Sequence, residues 1–110
     1  MTTAFKNKLS TSLGVGPATV MTSNASANTT VIGFSLTNTT SYYVTVTVQL
    51  QDTVQSTTAY YINNVMIPAN QSLRIVTGGE KLILGPSTNV IVTTSVASAV
   101  DLVMSWVEIS

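Results

Sequence analysis

Residues Tyr42 to Asp52, YYVTVTVQLQD, decide the fold. Val44, Val46, Val48 and Leu50 fall on one side of this stretch and Thr45, Thr47, Gln49 and Gln51 on the other. Strict alternation is the signature of a strand with one buried and one solvated face. Valine and threonine are stiff at χ1 and suit a pleated sheet better than a helix. A one-residue slip would turn all four apolar side chains into water, so the register is well specified.

Similar segments flank this strand, separated by turn residues. Ala18–Ser23 reads as a short strand after Pro17. Thr29–Asn38 places Ile32, Phe34 and Leu36 inward, with Gly33 on the outer face where a bulge is expected. Thr57–Ile67 carries Tyr60 and Tyr61 early and an Asn63-Asn64 pair that reads as a bulge. Ser72–Thr77 turns Leu73 and Ile75 inward, and Gly78-Gly79 reads as a hairpin or bulge before the short Lys81–Leu84. Asn89–Val96 puts Val90, Val92, Thr94 and Val96 on one face. Val100–Ile109 is apolar on both faces: Leu102, Met104 and Trp106 on one, Val103, Val107 and Ile109 on the other. One face must line the core and the other needs cover. About eight strands at this spacing predict an all-β antiparallel sandwich, jelly-roll or Ig-like, over residues 17–110.

Residues 1–16 stand apart as an expected N-terminal arm. Phe5, Leu9 and Leu13 recur at four-residue spacing, which suits one short amphipathic helix, although the serines and threonines between them weaken it. The expected role of these three side chains is docking on a neighbouring subunit. The segment has no continuous apolar core, so no signal peptide is expected. No run approaches a membrane span of about 20 apolar residues.

Charged residues make up 7% of the chain against 45% hydrophobic, and the formal net charge is +0. The usual charged share is about 25%. Serine, threonine and asparagine supply the polar surface instead. Such a chain offers no electrostatic footprint for nucleic acid or anionic lipid, and little repulsion against self-association. There is no cysteine and no histidine, which removes disulfides, the usual zinc, copper and haem ligands, and histidine-based acid–base catalysis. No metal or other cofactor is expected. Asp52, Glu80, Asp101 and Glu108 lie in separate segments and read as edge or turn charges rather than a carboxylate pair. Asn24, Asn28, Asn38 and Asn70 match N-x-S/T, as expected by chance in so asparagine-rich a chain. The glycine-rich stretches lack a P-loop lysine and read as turns. Tyr42, Tyr43, Tyr60 and Tyr61 are the candidate surface aromatics, which either cover the ends of the core or form a binding face. No enzyme is expected.

The segments IGFSLTN, VMIPANQSLRI, GGEKLIL, GPSTNVIV and the final SWVEI resemble small virion structural proteins of tailed bacteriophages, especially those of marine cyanophages. The resemblance runs from Leu13 onward. It implies a β-sandwich that decorates or cements the capsid, or sits at the neck or tail, and it implies no catalytic residues. The implied partners are other phage structural proteins; the low charge and the two-faced last strand add the expectation of a homo-oligomer, with a trimer as the expected order, or of a monomer ordered only on its particle. The implied location is the virion, after synthesis in the host cytoplasm. The alternative is a host-surface carbohydrate-binding or fibre module that recognises a receptor.

Overall fold

The computed structural model of the chain describes residues 3–13, 15–76, 81–96 and 99–109. It contains nine strands: β1 Thr3–Leu13, β2 Ala18–Thr22, β3 Asn28–Asn38, β4 Val44–Asp52, β5 Thr57–Ile67, β6 Ser72–Val76, β7 Leu82–Leu84, β8 Thr88–Thr94 and β9 Val100–Ile109. They form two packed antiparallel sheets. One has the order β1-β9-β3-β6, with β7 also on β3, and the other β2-β8-β4-β5.

The pairing is nested. The hairpin β4–β5 is the innermost pair, enclosed by β3 with β6 and β7, then β2 with β8, then β1 with β9. Successive pairs alternate between the sheets, so the connectivity is a jelly roll, not an immunoglobulin fold.

Alternation places the core as expected. Val44, Val46 and Val48 of β4 are fully buried, as are Val90 and Val92 of β8, while Leu50 packs at its margin half-buried. They face Phe34 and Leu36 of β3 and Leu102, Met104 and Trp106 of β9 across one core. The Gly78-Gly79 turn lies outside the described residues.

Single-residue bulges account for most of the departures. On β3, Val31 pairs with Trp106 and Gly33 with Ser105, so Ile32 is an extra residue. The strand is shifted by one, Val31 takes the inward position, and Ile32 is pushed outward. On β5 the expected bulge is present. Val46 pairs with Val65 and Val48 with Ile62, leaving Asn63 and Asn64 opposite Thr47. Asn64 adopts φ 52°, a conformation asparagine tolerates, and its backbone N–H donates to Thr47 Oγ1 at 3.1 Å.

The N-terminal segment is neither helix nor separate arm. Residues 3–13 form β1, an edge strand paired with β9 in unbroken register from Thr3↔Ile109 to Ser10↔Leu102. Side chains four apart share a face on a strand as they do on a helix, so Phe5 and Leu9 point the same way. A bulge between Ser10 and Leu13 then reverses the face, and Leu13 turns into the domain's own core.

Candidate functional site

Because the inner faces of both sheets meet in one core, what the molecule offers a partner is its two outer faces and two loop ends. The outer face of the four-stranded sheet is mostly polar and without charge, with Ile91 of β8 and the exposed Tyr60 and Met66 of β5 as its apolar members. Thr45, Thr47, Gln49 and Gln51 of β4 lie beside Asn89 and Thr93 of β8. Thr22 Oγ1 donates to Asn89 Oδ1 at 2.7 Å, and Asn89 Nδ2 donates to Gln51 Oε1 at 2.9 Å. These bonds run across β2, β8 and β4, so the face satisfies its own polar groups.

The outer face of the five-stranded sheet is the opposite. The register sets Phe5 beside Val107, and Val107 beside Thr30, which pairs in turn with Ile83. The next rows carry Asn7, Ser105 and Gly33, then Leu9, Val103, Ser35 and Arg74. Phe5 is 78%, Ile83 74% and Leu9 64% exposed, with Val103, Ile32 and Ile109 also exposed. Large side chains stand at the margins on β1 and β7, and the centre is low. Two depressions of about 280 Å³ each flank Ser105 there, one walled by Phe5 and Ile32, the other by Arg74 and Val103.

Gly33 forms part of that low centre, and nothing in the fold requires a glycine at this position. Its φ is not positive, and a Cβ there would stand 4.0 Å from Ser105 Cβ, an ordinary contact. Glycine inside a strand weakens it, so the bare position costs the fold something and leaves the surface open.

Of the three expected docking side chains, Phe5 and Leu9 lie on this outer face and Leu13 does not, being buried. The four tyrosines are divided. Tyr42 and Tyr43 lie in the β3–β4 loop, 79% and 65% exposed. Tyr60 and Tyr61 begin β5 at the other end, with Tyr60 exposed and Tyr61 packed against the core. They form no single platform.

The tyrosine loop is held from beneath by Asn38, which is fully buried. Its Nδ2 is shared among the carbonyls of Tyr42 at 2.6 Å, Ile67 at 3.1 Å and Pro68 at 3.2 Å, while its Oδ1 accepts from Thr40 N and Oγ1. Thr39 N donates to Ala99 O at 2.9 Å, tying in the β8–β9 loop. The N-x-S/T match at Asn38 is thus a structural amide.

Among the carboxylates, Asp52 is the turn charge expected, its Oδ1 accepting from Val54 N at 2.9 Å and Gln55 N at 3.2 Å. Glu108 is not the edge charge expected. It shares the inner face of β9 with Trp106 and is buried. It accepts from Trp106 Nε1 at 3.0 Å and Asn24 Nδ2 at 3.3 Å, and pairs with Lys6 at 3.3 Å. The Trp106 bond holds its carboxyl below the ordinary 4.5; burial opposes it, and the bonds of Asn24 and Lys6 add to the lowering. This cluster fastens β1 to β9 rather than forming a reaction centre. Glu80 lies outside the described residues. Among the described residues no three metal-ligating side chains converge.

Comparison adds no relative: no family model, curated protein or solved structure matches this chain.

Proposed function

We propose that this chain is a non-enzymatic structural component of a bacteriophage virion, decorating or cementing the capsid or placed at the neck or tail. The observation that carries the reading is the outer face of the five-stranded sheet, where Phe5, Leu9, Ile32, Ile83 and Val103 are exposed together. Apolar surface gathered on one face is surface suited to being covered by protein. The low charge of the chain and its resemblance to small phage structural proteins favour the same reading. In the assembled particle the partners are other phage structural proteins and copies of the chain itself, with neither nucleic acid nor membrane involved.

The test is quantitative mass spectrometry of purified virions with antibody labelling of the particle. A decoration role gives many copies spread over the shell, and a neck or tail role a few at one vertex. Absence from purified virions overturns the proposal.

A second reading, a receptor-binding module for host-surface carbohydrate, is favoured by Tyr42 and Tyr43. These two exposed rings lie on a loop anchored by Asn38, at the opposite end from Thr3 and Ile109. Aromatic faces stack on sugar rings, and a fixed loop limits the entropy lost on binding. Glycan-array binding that disappears in Tyr42→Ala and Tyr43→Ala would favour it.

A further inference from the structure

We propose that the outer face of the five-stranded sheet pairs with the same face of a second copy across a two-fold axis. The inference rests on the assembly role proposed above and names the first partner of that surface.

The face is shaped to fit itself. Phe5 and Leu9 rise on β1 at one margin, Ile83 rises on β7 at the other, and the floor at Gly33 and Ser105 is low. Raised side chains and depressions on one surface are what an isologous contact requires, since each copy then fills the other. A cyclic trimer, the order expected from the sequence, needs two different patches facing different ways, and this face supplies both halves of the contact in one plane. An offset of the two copies brings the Phe5 margin of one over the Gly33–Ser105 trough of the other.

Charge permits the approach. At outward positions the strands of this face carry one cation, Arg74, and one anion, Asp101, while Lys6, Lys8 and Glu108 alternate to the other side, so two copies meet without net repulsion. The area suffices. Four strand positions across and most of the length of β9 give roughly 600 Å² of projected sheet per copy. Two such faces bury about 1,200 Å² in total, the lower bound for a specific interface.

Two of the sheet edges, β1 and β5, are ill suited to the other common route, edge-to-edge pairing. Antiparallel pairing of two β1 edges centred on Asn7 would set Lys6 opposite Lys8 twice, a like-charge contact. The β5 edge is broken by the bulge at Asn63 and Asn64.

Sedimentation equilibrium over a wide concentration range tests the proposal, with circular dichroism as the check on folding. The wild-type chain is expected to show a monomer–dimer equilibrium. Gly33→Val fills the trough with a residue that suits a strand, and Phe5→Asp removes the raised ring. Each is expected to weaken self-association at least tenfold while the spectrum stays native. Tyr42→Ser, at the loop end, is expected to leave it unchanged. A wild-type monomer at all concentrations overturns the inference, as does a trimer, or a dimer that Gly33→Val leaves intact. If Phe5→Asp fails to fold, Gly33→Val alone decides. Particle association is read separately. A chain found on virions but monomeric in solution breaks this inference and leaves the assembly role standing, whereas a dimer absent from virions does the reverse.

Discussion

The two outer faces of this sandwich are built over the same core by the same alternation, and they differ in almost everything else. On β4 and β8 the outward residues are threonine, glutamine and asparagine except for Ile91, and Asn89 bonds across the strands to Thr22 and Gln51. On β1 and β9 they include Phe5, Leu9, Val103, Val107 and Ile109 around Asn7 and Ser105, and these apolar side chains have only solvent or a partner to face. The core dictates neither choice, because most of the stability comes from the inner residues. The polar face is therefore complete in the isolated chain, whereas the apolar face is left for another molecule to complete.

The largest expected effect treats both faces alike. Val46→Asp places a charge in the shared core beside Val48 and Val92, at a cost of several kcal/mol. Circular dichroism should show loss of both sheets together. If that variant melted with the parent, the faces of β4 would be assigned the wrong way round.

The next effect separates the two sides of one strand. Trp106 and Val103 both belong to β9, one inward and one outward. Trp106→Ala should cost about 3–5 kcal/mol. Val103→Ser should change folding free energy by no more than about 0.5 kcal/mol. Chemical denaturation of both variants checks the pair, and equal losses would mean that the outer face already belongs to the core.

On the polar face, Asn89→Ala removes the central member of the Thr22–Asn89–Gln51 chain and should cost about 1 kcal/mol. The same measurement sharpens the contrast. A polar side chain here should matter more to folding than the far more apolar Val103 does on the other face.

The smallest effect is in pH. The carboxyl of Glu108 is held below its ordinary value, first by Trp106 and then by Asn24 and Lys6. The folded state therefore binds that proton less readily than the unfolded chain does. The contribution is present above pH 4.5 and is lost as pH falls through the lower folded value. Glu108→Gln should make the melting temperature less sensitive to acid below that pH. Thermal melts across an acid series check it, and parallel profiles for parent and variant would show that the cluster adds nothing to the attachment of β1.

Much of this was legible in the sequence, for reasons that also explain what was not. Val44 to Leu50 announced their strand because a period of two was maintained without interruption. The two-sided apolar character of Val100–Ile109 pointed directly to the exposed face. A bulge leaves no such periodic trace. One extra residue at Ile32 reverses the face of everything before it, and one beyond Ser10 reverses Leu13. The spacing of Phe5 and Leu9 satisfied helix and strand equally, and only pairing with β9 decides between them. Glu108 read as an edge charge because its partners, Lys6 and Asn24, are remote in sequence. The trough is the least legible feature, since Gly33 and Ser105 become neighbours only when β3 and β9 are side by side.

The nesting of the strands also governs how the chain is made. The innermost hairpin, β4–β5, joins residues close in sequence, but each enclosing pair joins more distant ones, out to Thr3 with Ile109. Folding rates fall as contacts become less local, so a slow folder is expected. The last of the nine strands in chain order, β9, lies between β1 and β3. Until it leaves the ribosome, β1 lacks the strand it pairs with and β3 has β6 and β7 beside it but not β9. The five-stranded sheet is therefore completed only after β9 has emerged, although its β3, β6 and β7 part can pair earlier.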